Sequence, residues 1–338
     1  MRMPAEWAEH EACLMAWPTR TRTELWGKAY PQAQAEYAEV AKAISRFEPV
    51  IMVAMPGQGD EARAACQTGS EGAENITVIE LPIDDSWLRD SGPIFVTGDG
   101  ERKGVDFGFN SWGEKYLPYD KDAAVTALLL KHLNVAKIPS GMVLEGGSIS
   151  VDGEGTLVTT EQCLLHPNRN PGMTKAQIEA ELKDKLGVTT VIWLPYGHAD
   201  DRDTDGHVDG VCVFIGPGRV LVQSCEDKEM PDYDRMAANI EVLRHATDAK
   251  GRAIEIVEIP QLPWVEVAGE QTSVGYVNLY LANGGVVVPI AGVPDDDQAA
   301  LDTIRKALPD REVVGVVAKA IAHGGGGVHC ITQQVPAA

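Results

Sequence analysis

The chain has 338 residues, 44% hydrophobic and 23% charged, an ordinary make-up for a globular protein with a large core. Fifty acidic residues against 29 Lys and Arg give a formal net charge of −21, and no run of Lys or Arg offsets it. Such a field repels nucleic-acid backbones and anionic membranes and favours cationic small molecules. The six cysteines, Cys13, Cys66, Cys163, Cys212, Cys225 and Cys330, show no CxxC pair and no zinc-finger spacing, so most are expected to be buried free thiols in a reducing, cytoplasmic setting. The opening MRMPAEWAEH lacks the apolar stretch of a signal peptide, and the longest apolar runs, such as that around Ala123 to Leu130, are too short to span a bilayer.

In chain order, Pro31 to Phe47 carries Ala35, Ala38, Val40, Ala41 and Ile44 at helical spacing with charges opposite. Apolar runs at Val50 to Ala54 and Ile76 to Leu81 predict strands. Thr174 to Leu186 reads as a helix, with Thr174 as its cap and Gly187 as its stop. Strands are predicted at Gly210 to Ile215, Val220 to Gln223 and Ile254 to Ile259, with a helix over Asp234 to Lys250. Ser273 to Leu281, Gly285 to Ile290 and Val313 to Val317 read as further strands, and Asp295 to Leu308 as a helix. No linker or low-complexity tract divides the chain, so residues 1–338 are expected to form one α/β domain. Strand–helix units recur without a clean period.

Four stretches do not look like scaffold. Asp84 to Pro93 crowds three carboxylates, Arg89 and Trp87 into a turn at a strand end, where binding residues gather, although Asp caps and an Arg–Asp pair would also account for it. Leu144-Glu145-Gly146-Gly147-Ser148 puts a carboxylate before two glycines, which suits either a close approach of the backbone to a ligand or a plain turn. Asp203 to Gly210 leads into the apolar run Val211 to Phe214. A strand starting near His207 would set His207 and Asp209 on one face, as an oriented acid/base or as metal ligands. Without HExxH or a second His at ligand spacing, the metal reading is disfavoured. Finally, Gly324 to Gly327 precede His329 and Cys330. In a strand His329 would point away from Cys330, so the partner base must come from elsewhere, with His207 the leading candidate. No Gly-Lys-Ser/Thr follows, which argues against a phosphate loop.

A thiol, a His and several carboxylates at turns and strand ends meet the requirements of covalent catalysis. The surplus carboxylates, and the absence of protease motifs, disfavour a Cys–His protease. They suit a flat cation with many N–H donors, which describes a guanidinium.

At this point a family resemblance emerges. MPAEW at Met3 to Trp7, DSWxRDSGP at Asp85 to Pro93, LEGGSI at Leu144 to Ile149, DTDGHVD at Asp203 to Asp209, YVNxYxANGG at Tyr276 to Gly285 and GGGGxHCITQQxP at Gly324 to Pro336 resemble the motifs of agmatine deiminases. These belong to a wider group with bacterial peptidyl-arginine deiminases, arginine deiminases and amidinotransferases. The resemblance implies a pentein fold, a five-bladed α/β propeller of ββαβ units with the site on its axis, and a single catalytic domain using neither metal nor organic cofactor. It implies Cys330 as nucleophile, His207 as general acid/base, Glu145 as support for that His, and Asp90 with Asp209 gripping the guanidinium. Trp87, Asn278, Asp85 and Gly327 are expected to contact the substrate. The expected partner is a small cationic guanidine, with no nucleic acid and no membrane; a homo-oligomer is compatible with the sequence. Another guanidine, such as free or peptidyl arginine, or amidino transfer to an amine would use the same residues. A ribosome-binding translation factor shares the scaffold, but the intact set argues against it. The chain departs from the pattern at Asp205, where Asn is frequent, near Gln271, where an Arg is expected, and in the short stretch Pro260 to Ser273.

Overall fold

Each short strand run in this chain is too small to bury its own faces, and the helices between them supply the cover. The computed structural model describes residues 1–67, 72–260 and 264–338. Ile94–Gly98 and Glu101–Gly108 form an antiparallel hairpin, turned by Asp99 and Gly100 at φ of 55° and 74°. The chain then passes through helix Asp120–His132 and returns as Ala136–Val143, parallel to Glu101–Gly108. The same order recurs in Ile149–Val151, Thr156–Thr160 and Thr190–Leu194, crossed by helix Lys175–Leu186. It recurs in Cys212–Gly216, Arg219–Ser224 and Glu255–Pro260 with helix Asp232–His245. Tyr280–Ala282, Gly285–Ile290 and Glu312–Val317 repeat it with helix Pro294–Ala307. The final unit joins the ends of the sequence. Thr332–Pro336 lies antiparallel to His10–Ala16, which pairs parallel with Val50–Ala54 beyond helix Tyr30–Ser45, and Ile76–Glu80 adds a fourth strand. The molecule is thus a mixed α/β fold in which one supersecondary pattern serves five sheets among the described residues.

Several expectations match closely. Val50–Ala54 and Gly285–Ile290 have the predicted bounds. Thr174 and Gln177 form a reciprocal capping box, and Gly187 closes that helix at φ 66°. Others need correction. Helix Asp232–His245 stops short of Lys250, because Ala246 turns to an extended conformation. The strand predicted at Gly210 begins at Cys212, and Val208–Gly210 form a 3-10 turn, so strand alternation does not place His207 and Asp209. Of Ser273 to Leu281, only Tyr280 and Leu281 enter a strand. The preceding residues fold into turns, with Asn278 N–H donating to Gly275 O (3.1 Å) and Leu279 N–H to Val277 O (2.8 Å). Val274, Tyr276, Val277 and Leu279 are buried there, and an apolar run reads alike in a buried turn and a strand. Part of the stretch Pro260 to Ser273 (261–263) lies outside the described residues; the rest is a hairpin of Val265–Val267 with Glu270–Thr272. The run around Ala123 to Leu130 sits within helix Asp120–His132. Among the described residues, no helix is long and apolar enough to cross a membrane.

The short helix Lys319–His323 carries the chain into the tetraglycine loop, and Glu36 anchors it by accepting the N–H groups of Ala320 (2.8 Å) and Ile321 (3.0 Å). Glu36→Ala leaves both donors buried without that acceptor. It should lower the unfolding free energy by roughly 1–3 kcal/mol, read as a shifted urea midpoint at unchanged slope.

Candidate active site

Cys330 lies in the turn between helix Lys319–His323 and strand Thr332–Pro336. Its Sγ is 3.3 Å from Asn278 Nδ2 and 3.5 Å from Asp209 Oδ2. The turns that replace the first part of the predicted strand deliver Asn278, whose Oδ1 accepts the N–H of His329 at 2.9 Å.

Asp90 comes from the short helix Leu88–Ser91. Its Oδ1 accepts the N–H of Gly147 at 3.0 Å, and its Oδ2 accepts the indole N–H of Trp112 at 2.9 Å. His207 stands between carboxylates, with Nδ1 3.8 Å from Asp90 Oδ1 and Nε2 3.9 Å from Glu145 Oε2. Among the described residues, neither ring nitrogen has a hydrogen-bond partner, nor does Glu145 Oε2. Arg169 Nε holds the other oxygen of Glu145 at 2.5 Å, and the same guanidinium donates to Asp205 (2.7 Å) and Thr204 O (2.8 Å). Asp205 takes φ 62°, a left-handed conformation that Asp and Asn tolerate best among residues with side chains. As Asp it adds a charge partner for Arg169 and Lys115, so this departure from the family pattern bears on how Glu145 is held.

The glycines are dictated by close approach. A Cβ on Gly147 would lie 2.6 Å from His207 Nδ1, 2.8 Å from Asp209 Oδ2 and 2.9 Å from Asp90 Oδ1. Gly147 therefore marks where Asp90 and the His207–Asp209 pair, far apart in sequence, converge. A Cβ on Gly326 would meet the Trp87 ring at 2.4 Å, and one on Gly327 would meet Asn278 Oδ1 at 2.4 Å. Trp87 in turn stacks on Trp26, with ring centroids 5.5 Å apart.

Cys330 borders two spaces. One is a slot of about 20 Å³ walled by Asp85, Trp87, Asp90, Trp112 and Tyr116. The other is a cavity of about 530 Å³ that reaches His207, Asp209, Asn278 and Gly327, and is rimmed by the hairpin residues Glu270 to Ser273. Asp203 and Thr204 border both. Burial, with Asp209 and Asp90 close by, pushes the Cys330 thiol well above its ordinary value. Burial, then Asp209 and Glu145, push Asp90 up to about 6 against the pull of His207. Asp209 is also buried, yet its hydrogen bond and charge contact with His329 hold it below the usual range. Without a cation the site is an over-supply of acid, and a bound guanidinium would relieve it.

The structure thus gathers Asp90 and Trp87 at one of the two spaces that Cys330 borders and His207, Asp209, Asn278 and Gly327 at the other, with Glu145 lining neither and standing beside His207. Asp85 is at the slot too, but its carboxylate is engaged by Arg22 (3.0 Å) and Ser86 N–H (2.8 Å). Sequence reasoning did not single out Trp112, Arg169, Asp203 or Glu6 as parts of the site. Glu6 and Asp203 stand inside family motifs, which was the available signal; Trp112 and Arg169 carry none. Gln271 is on the cavity rim. Among the described residues, Glu145, Cys163 and His207 could offer three ligand atoms within 4.8 Å of one another. Two features oppose a metal there: Arg169 already sits on Glu145, and burial keeps the Cys163 thiol protonated well above its ordinary range. All six cysteines are free, and all but Cys225 are buried.

The fold is of the pentein type: it is shared with dimethylarginine dimethylaminohydrolase at a TM-score of 0.53 and 12% identity, a likeness of fold alone. Within that class, residues 2–336 match the Porphyromonas-type peptidyl-arginine deiminase family, and the chain belongs to it. It is 43% identical to an agmatine deiminase of Pseudomonas aeruginosa over 365 residues, covering 99% of this chain and 95% of that one. A putative agmatine deiminase of Legionella pneumophila is 41% identical over 336 residues, covering 99% and 94%. The solved structure of the Enterococcus faecalis agmatine deiminase superimposes with a TM-score of 0.92 at 37% identity, covering 99% and 96%.

Asp90 is ionised only above about pH 6, so a guanidinium should bind the site more weakly as pH falls below that value, about tenfold per unit. Calorimetric titration of the Cys330→Ser protein with agmatine between pH 5 and 8, roughly the span that brackets this value, reads the effect; a flat affinity would contradict it.

Proposed function

We propose that this chain is an agmatine deiminase, hydrolysing the guanidinium of agmatine to N-carbamoylputrescine and ammonia. The observation that carries the reading is the charge of the site. Asp90 and Asp209 flank the thiol, Asp203 borders both spaces, and Arg202, an exposed residue, is the lone Lys or Arg lining either one among the described residues. A substrate cationic at both ends suits such walls, whereas the α-carboxylate of arginine lacks a buried counter-charge there.

In this reading Asp90 and Asp209 grip the guanidinium and hold its carbon against Cys330 Sγ, with Trp87 and Trp112 beside the flat group. Burial and the two carboxylates hold the thiol protonated. The bound cation offsets the carboxylates, so the thiol gives its proton to cavity water, leaving the thiolate, and is reprotonated from the attacking water's remaining hydroxyl proton when the product leaves. The sulfur adds to the carbon. His207, steadied by Glu145, supplies the proton with which ammonia leaves, and an amidino-cysteine remains. His207 then takes a proton from water, which attacks that carbon; the C–S bond breaks and the ureido product departs. Each proton transfer of this kind is worth about 10²–10⁴-fold. The unpartnered ring nitrogens of His207 support its role, since a shuttle needs a nitrogen free to change protonation. Asp203, which accepts a hydrogen bond from the Tyr116 hydroxyl, is placed to receive the ammonium tail.

The repeated hairpin–helix–strand order supports reading the five sheets as blades of a propeller around this site, within a single catalytic domain spanning residues 1–338. The free thiols and the charge of −21 support a reducing, cytoplasmic setting with a small cation as partner.

Ammonia release from agmatine, arginine, a blocked arginine peptide and 4-guanidinobutyrate tests the assignment. Agmatine should exceed each of the others in kcat/KM by about 10²-fold or more, as expected when a buried charge is left unpaired; preference for arginine or the peptide would overturn it. Cys330→Ser should abolish turnover with an unchanged circular dichroism spectrum, and retained turnover would refute the nucleophile.

A further inference from the structure

Asp209 is the inner end of a longer polar row. His329 precedes Cys330 in the turn before strand Thr332–Pro336 and lines neither of the two spaces at the site. Its Nδ1 is 2.9 Å from Asp209 Oδ2, and its Nε2 is 2.9 and 3.1 Å from the two oxygens of Glu6. Arg89 continues the row, with Nη1 3.5 Å from Glu6 Oε1. Arg89 also donates through Nε to His329 O (3.3 Å) and through Nη1 to Gln334 Oε1 (2.8 Å). All four side chains are buried, and the charges alternate from Arg89 through Glu6 and His329 to Asp209.

A neutral imidazole has one N–H and one lone pair. With a carboxylate at hydrogen-bond distance from each nitrogen, one contact would set a lone pair against an anion unless a further proton is present. The distances allow that proton on the ring or on a carboxylate, and the surrounding charges favour the ring. Burial raises Glu6, but His329 and Arg89 bring it down to about 2, and Asp209 is likewise held low. Burial and Arg89 pull the His329 value down, and the two carboxylates outweigh them. The contrast with Asp90 shows the consequence. Asp90 shares the same acidic pocket, is served by neutral donors from Gly147 and Trp112, and is pushed up to about 6.

We propose that His329 is a standing imidazolium that positions Asp209, keeping this carboxylate ionised and turned toward the guanidinium, with Glu6 of the MPAEW segment as its counter-ion. The idea rests on the reading of Asp209 as a guanidinium-binding group. His329 itself is a positioning residue: it is fully buried, and both its ring nitrogens are committed. The groups facing it are Glu6, Asp209 and Arg89.

The direct test is made on the wild-type protein without substrate. In ¹⁵N-histidine-labelled protein, one imidazole should keep both ring nitrogens protonated at a pH above the range in which an ordinary His loses its proton. Its signal is assigned by its loss in His329→Gln or its displacement in Glu6→Gln. A ring neutral at that pH overturns the proposal, whatever the substrate proves to be. Glu6→Gln keeps an acceptor for Nε2–H while removing the counter-charge. It should raise KM for agmatine about tenfold or more, change kcat less, and move the acid limb of kcat/KM upward. A folded Glu6→Gln protein with wild-type KM and acid limb would also overturn it. Failure of the Cys330→Ser or substrate tests would instead strike the enzymatic reading and leave the protonation result standing.

Discussion

Carboxylates buried without solvent are the constraint to which the rest of this molecule answers. Glu6, Asp90, Glu145 and Asp209 all lie at or near zero exposure, and each must be neutralised, hydrogen-bonded or paired. Arg169 takes Glu145, and the row from Arg89 takes Glu6 and Asp209. Asp90 receives neutral N–H donors, which leaves it the acid most in need of a cation. The pocket is therefore poised for a charge it does not itself contain, and in the proposed mechanism that need couples substrate binding to ionisation of the thiol.

The repeated sheet pattern explains how such a cluster is assembled. Each unit is short and stiff, and each sends a turn or a brief helix toward the same region: Leu88–Ser91 brings Asp90, Gly146–Ser148 follows Glu145, Val208–Gly210 brings Asp209, and the turn at Asn278 meets Cys330. Groups on separate rigid units are held without side-chain searching, as preorganised electrostatics requires. The pairing of Thr332–Pro336 with His10–Ala16 matters for the same reason. It ties the turn that carries Cys330 to the N-terminal segment that carries Glu6.

Chemical identity was legible in the residue strings. Cys330 after four glycines, His207 two before Asp209, and Glu145 before Gly146 and Gly147 stood out because ordinary core and surface have no use for them. The strands at Val50–Ala54 and Gly285–Ile290 and the cap at Thr174 were legible for a local reason: periodicity and capping act within one or two turns of chain. The strand expected over Ser273 to Leu281 failed as far as Leu279 on the same ground, since apolar content does not say whether a buried segment is extended or turned.

Partnership was decided only in three dimensions. Arg169 sits 24 positions from Glu145, and His329 sits 120 from Asp209 and 323 from Glu6. No local rule links residues so far apart, because the energy that joins them exists only after folding has removed water from between them. By itself, the sequence determined which functional groups this protein owns and that their sum favours a cation. The tertiary structure decided which acid keeps its charge, since ionisation in a dry interior depends on the nearest counter-charge, and that neighbour comes from a distant stretch of chain.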